Sequence, residues 1–142
     1  MKVSLERVND KFHFEARGAS GVPIHIDSKT DEASNGASPM ELLLMGVGGC
    51  NAIDIVSILQ KQRQKITSYK VDVEGDRKEL REAKPFQSMH VTIYLEGDID
   101  PKKAIRAADL SFDKYCSVSI TMEDSVKVTY SIFLNGEEIT SV

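Results

Sequence analysis

The chain has 142 residues, 41% apolar and 28% charged, with a net charge of −4. That is enough for one folded domain with a core and too little for two. The acidic balance offers no footprint for nucleic acid or an anionic membrane surface. Met1 to Arg7 alternates and carries charge, unlike a signal peptide, and the apolar run from Leu42 to Val47 is far too short to cross a bilayer, so the expected setting is cytoplasmic, with no membrane partner.

Val3 to Val8 alternates apolar and polar residues, as does Phe12 to Ala16, and Asn9-Asp10 between them is a turn signal. Gly18-Ala19-Ser20-Gly21 marks a second turn before Val22 to Asp27, again with period two. The first thirty residues thus predict a three-stranded meander. Ser28 to Ala37, rich in Ser, Asp, Asn and Gly, predicts an exposed loop. A helix opens at Ser38-Pro39-Met40-Glu41, with Ser38 as N-cap, Pro39 in the first helical position and Glu41 placed to close a capping box. It runs to about Arg63 through Gly46, Gly48 and Gly49, each of which costs roughly 1 kcal/mol against Ala. Gly46 and Gly49 share a face, where close approach of another backbone is the expected compensation. From Leu42 to Ile53 the helix is apolar nearly all round, which predicts burial on every side.

Ser68 to Glu74 and Ser88 to Leu95 alternate and predict strands. Gly75 to Gln87 between them carries seven charged residues and Pro85 and reads as a solvated loop. Asp100-Pro101 starts a second helix that reaches about Tyr115. Ser117 to Met122 and Val126 to Leu134 predict two last strands, divided by Glu123-Asp124-Ser125. The order β-β-β-α-β-β-α-β-β, with no linker or repeat, is that of a single α+β domain over residues 1–142.

There are two cysteines, Cys50 inside the apolar helix and Cys116 at the close of the second helical segment. Such a pair can be a disulfide, a fragment of a metal site, or a reactive thiol with its resolving partner. A cytosolic setting disfavours a permanent disulfide. No Cys or His pair has the spacing of a zinc framework, so neither metal nor other cofactor is expected. The plain alternative is two packed thiols, since free Cys is among the most buried residue types. Asp54 follows Cys50 by one turn on the same face, where a carboxylate would raise a thiol pKa. His13 and His25 read as solvent-facing or core-edge side chains.

At Ala37-Ser38-Pro39-Met40-Glu41-Leu42-Leu43-Leu44, through Gly48-Gly49-Cys50, and at Lys114-Tyr115-Cys116-Ser117-Val118, the chain resembles the OsmC/Ohr family (osmotically inducible protein C and organic hydroperoxide resistance protein). The resemblance covers essentially the whole chain and looks closest to the small, uncharacterised bacterial OsmC-like branch. It implies an intertwined homodimer with the long helices buried at its centre. It implies thiol-dependent reduction of small organic hydroperoxides: Cys50 as the peroxidatic thiol, Cys116 as the resolving thiol, and an external dithiol to reset the pair.

The peroxidases of the family supply an arginine from the N-terminal meander, held by a glutamate directly after the proline that opens the helix. Here Met40 stands at the glutamate's place, and the arginine's place falls near Phe12. Glu41 and Arg17, with His13, are the nearest substitutes, although alternation puts Arg17 on the face opposite Phe12 and Phe14. A second reading therefore stands beside the first: a non-catalytic or small-ligand-binding member of the family that keeps the fold and a buried thiol pocket.

Overall fold

The computed structural model describes residues 1–28 and 33–141, without the side chain of residue 141. The part of the expected loop at 29–32 lies outside the described residues. Two compact units are present, Met1–Leu43 and Leu44–Val142.

The first unit is the predicted meander: β1 (Ser4–Arg7), β2 (Phe14–Arg17) and β3 (Ile24–Ile26), paired antiparallel in that order. The Asn9 carboxamide accepts from the backbone N–H groups of Lys11 and His13, which closes the first turn. The register sets Leu5, Phe14, Ala16, Ile24 and Ile26 on one face, with Glu15, Arg17 and His25 on the other. Much of the unit's apolar surface is exposed: Val3, Leu5, Val8, Phe12, Val22 and Ile24 all lie open.

Helix α1 (Pro39–Lys61) begins at the end of this unit and runs through the start of the next. Its capping box forms as the spacing predicts: Glu41 N–H donates to Ser38 Oγ, and Ser38 N–H and hydroxyl donate to Glu41 Oε1. At 23 residues the helix is long and apolar enough to span a bilayer. A stripe of Val47, Asn51, Ile55 and Leu59, spaced by four, is buried together with Gly48, while the apolar window as a whole is only 28% buried, short of the expected burial on every side. Leu43, Met45 and Ile53 remain exposed.

The glycines divide differently from the expectation. Gly48 makes the close approach, since a Cβ there would come within 2.8 Å of Val73 Cγ2. At Gly46 a Cβ would have ordinary contact with Val118, and at Gly49 it would meet nothing within 4 Å. The intimate neighbour is a β-branched side chain on the sheet beneath, not a backbone.

The second unit is built on the sheet β4 (Lys65–Arg77), β5 (Phe86–Asp98), β6 (Lys127–Leu134) and β7 (Glu137–Ser141), in that order. Strands β5 and β6 are parallel, and the other neighbours antiparallel. Met89, Val91, Ile93 and Leu95 on β5, beside Tyr130, Ile132 and Leu134 on β6, form its buried face. Strands β4 and β5 reach further than their apolar alternation. Gly75, Asp76 and Arg77 pair with Met89, Ser88 and Phe86, which shortens the expected charged loop; ladder hydrogen bonds do not require apolar side chains.

The parallel pairing needs a long crossover, and here it carries the cysteine. Helix α2 (Pro101–Leu110) is capped by Asp100, whose side chain accepts from Lys102 N–H. It widens into a π turn (Ser111–Tyr115), after which α3 (Ser117–Met122) follows Cys116. The strand expected at Ser117–Met122 is therefore a helix. Its strict alternation of polar and apolar residues matches a strand, but Cys116 serves as N-cap and Ile120 N–H bonds to the Cys116 carbonyl. Ile120 stays exposed while Ser119 is buried, so the alternation orders no sheet face. The strand missing from the expectation is β7. It follows Asn135-Gly136, both at positive φ (50° and 84°), the dipeptide that favours two-residue hairpins.

Candidate functional site

The regular spacing of α1 places Cys50 and Asp54 one turn apart on the side next to its buried stripe. The crossover brings Cys116 to the same place. The sulfur atoms of Cys50 and Cys116 and a carboxylate oxygen of Asp54 all lie within 4.8 Å of one another. Cys50 is half-buried and Cys116 fully buried. A disulfide needs about 2.05 Å between sulfurs, so a small local shift would join them.

The π turn sets the position of Cys116. Its backbone N–H donates to the Ser111 carbonyl at 2.8 Å, the i to i−5 bond of a widened turn. Its Sγ accepts from Ser119 N–H at 3.3 Å, standing where a Ser or Asp oxygen would cap a helix. Burial pushes the Cys116 thiol above its ordinary pKa; the Ser119 contact partly opposes this and the Cys50 thiol adds to it.

Ser111 also organises the other side of the cluster. Fully buried, its hydroxyl lies 2.8 Å from Asn51 Oδ1 and 3.0 Å from Asp54 Oδ2. Asn51 in turn donates through Nδ2 to the Val47 carbonyl at 2.9 Å. The hydroxyl has a single hydrogen to share between its two neighbours. Neither Ser111 nor Asn51 was singled out from sequence. The available signal was a lone Asn in the apolar half of α1, where an unpaired amide would be costly. Beside Asp54 lies a cleft of about 520 Å³, lined also by Ser57, Ile58, Lys61, Leu110 and Tyr115.

The remaining candidates sit in local contacts of the N-terminal unit. Glu41 closes the capping box of α1. The Arg17 guanidinium is paired with Glu15 and donates to the Gly21 carbonyl, on the face away from Phe14. His13 and His25 face each other, with Nε2 of the first 2.9 Å from Nδ1 of the second.

Two thiols brought together from a long helix and a crossover, within an α+β fold of two antiparallel-edged sheets, define a dithiol protein. A family profile described as OsmC-like protein matches residues 29–131. Protein YhfA of Escherichia coli K12 is 39% identical over 121 residues, which span 83% of this chain and 87% of that protein. A hypothetical protein from Aquifex aeolicus VF5 superposes with a TM-score of 0.79 at 29% identity, covering 94% of this chain and 96% of the other. The organic hydroperoxide resistance protein OhrB of Bacillus subtilis shares the fold, with a TM-score of 0.63 at 19% identity over 93% and 96% of the two chains. The chain belongs to the OsmC-like family.

Proposed function

We propose that the protein reduces small organic hydroperoxides by a two-thiol cycle. The Cys50 thiolate attacks the peroxide oxygen distal to carbon, the O–O bond breaks, and alcohol leaves with a sulfenic acid on Cys50. The Cys116 thiol then displaces water from that sulfenic acid to form a disulfide, which an external dithiol reduces in two exchange steps. The observation that carries this reading is the contact of the two sulfurs, within 4.8 Å, with one thiol half-buried and the other fully buried. The less buried cysteine suits first attack, and the enclosed one suits a partner that meets only the enzyme-bound intermediate. Val118 beside Gly46, one turn before Cys50, gives the approach an apolar wall. Each methylene buried there adds about 0.8 kcal/mol, which hydrogen peroxide cannot gain.

Within the same proposal the protein works in the cytoplasm as a homodimer. Met45 and Ile53 are 55% and 73% exposed on one face of α1, and Gly49 between them is open. The hydroxyl of Tyr69, next to that face in a cleft with Ala52, Ile53 and Val56, is buried without a partner in the protomer. A second copy would cover this surface.

The second reading, a family member that binds small ligands without turnover, is favoured by the engagement of Arg17 with Glu15 and the Gly21 carbonyl and of Glu41 in the capping box. Consumption of an alkyl hydroperoxide by the metal-free protein with a dithiol reductant separates the two. Turnover that disappears in Cys50→Ser supports the cycle; no turnover above the Cys50→Ser background leaves the binding role.

A further inference from the structure

We infer that the reduced site also binds a thiophilic divalent cation such as zinc, held by Cys50 Sγ, Cys116 Sγ and one carboxylate oxygen of Asp54, with a fourth position for water or a small ligand. This departs from the expectation of no metal, which rested on spacing along the chain. The ligands come from one long helix and from the residue that follows the π turn, and only the fold unites them.

The geometry is close to what tetrahedral zinc requires. Bonds of about 2.3 Å to sulfur and about 2.1 Å to oxygen place neighbouring ligand atoms roughly 3.6–3.8 Å apart. The three donor atoms already lie within 4.8 Å of one another, so side-chain rotation closes the set. Cys50 and Asp54 stand at i and i+4, the spacing by which one helix face offers two ligands to one ion. Two sulfurs with one oxygen suit zinc and its thiophilic neighbours and not magnesium or calcium.

Supporting contacts surround the ligands. The Ser111 hydroxyl lies 3.0 Å from Asp54 Oδ2, and Ser119 N–H donates to Cys116 Sγ at 3.3 Å. Such outer contacts fix ligand orientation and stabilise negative charge on the ligand atoms. Asp54 also lines an open cleft, which leaves its carboxylate reachable from outside. The ion also gives Asp54 a purpose. Beside a divalent cation the carboxylate completes the ligand set. Binding then displaces up to two thiol protons, and a loaded pair is withheld from oxidation.

The test is an anaerobic titration of the reduced full-length protein with Co²⁺ alone, followed by Zn²⁺. One equivalent of Co²⁺ per protomer is expected, with thiolate-to-cobalt charge-transfer absorption that Zn²⁺ abolishes. Asp54→Asn is expected to weaken Co²⁺ binding about ten-fold or more, and Cys116→Ser to strip charge-transfer intensity. No charge-transfer band at excess Co²⁺, or unchanged affinity in a folded Asp54→Asn protein, overturns the inference. Should Asp54→Asn lose its fold, alkylation of the wild-type thiols decides: protection of both by one equivalent of Zn²⁺ supports the site, and no protection overturns it. Peroxide consumption by the metal-free protein is measured separately, so failure of the cycle and failure of the metal site are distinguishable.

Discussion

The two cysteine-bearing segments reach the same place by opposite means. Cys50 rides on a long regular helix whose register also presents Asp54, and nothing irregular is needed to aim it. Cys116 sits at a seam, where α2 widens into a π turn and a six-residue helix restarts beyond it. The regular segment leaves its thiol half-buried; the irregular one encloses its thiol fully. In this molecule the enclosed thiol follows a local widening of the hydrogen-bond ladder, a feature that often marks functional sites.

Exchanging each thiol for a hydroxyl should break this contrast most sharply. Cys50→Ser is expected to reduce hydroperoxide consumption to the uncatalysed background, while Cys116→Ser still consumes about one equivalent and then stops with Cys50 oxidised. Mass analysis after one addition of peroxide reads the difference directly. Equal activity in both variants and the parent would remove the cycle.

The seam itself can be weakened without touching a thiol. Ser111→Ala keeps the backbone bond from Cys116 N–H to the Ser111 carbonyl but strips the hydroxyl from Asn51 and Asp54. Leaving the acceptor served by the single hydroxyl hydrogen without its donor costs about 1–3 kcal/mol, to be read from denaturant midpoints. A neutral result would mean that water serves that acceptor equally well.

How much of this was legible beforehand follows the same division. The capping box at Ser38 and Glu41, the N-terminal meander and the parity of the β5 residues were readable because each depends on neighbours a few positions away. The family resemblance added the pairing of Cys50 with Cys116. Ser117 to Met122 misled because its period of two is real but unused: the cap at Cys116 decides the conformation locally, and the crossover's packing leaves Ile120 outside. The strand β7 was announced by Asn135-Gly136, yet Glu137-Glu138 lacks the apolar alternation that would draw attention to it. Ser111 was invisible because its role depends on Asn51 and Asp54, residues about sixty positions away.

On α1, two neighbouring glycines sharpen the contrast between its closed and open sides. Gly48→Ala sets a methyl 2.8 Å from Val73 Cγ2, an overpacking of about 1–3 kcal/mol that exceeds or offsets the roughly 1 kcal/mol gained in helix propensity. Gly49→Ala meets nothing within 4 Å in the protomer and should gain about that 1 kcal/mol there. If a second copy packs on this face, as proposed, Gly49→Ala should instead weaken association. Sedimentation and thermal unfolding of the two variants, run together, tell the cases apart.

The smallest expected effect is a dependence on pH that belongs to the enclosed thiol. Burial raises the Cys116 pKa in the folded protein above its unfolded value of about 8.5. Between those two values the unfolded chain has released a proton that the folded chain still holds, so stability falls as pH rises. The contribution is fully present below about pH 8.5 and is lost as pH climbs through the raised folded value. Tyr69 and Tyr130 are also raised by burial, the second further by Asp109, but their unfolded values lie near 10 and they act at higher pH. Denaturant midpoints between about pH 8.5 and 9.5 therefore read the thiol. Over that range Cys116→Ser should lose less stability than the parent protein. Parallel pH profiles in the two proteins would mean that the enclosure of Cys116 does not govern its ionisation.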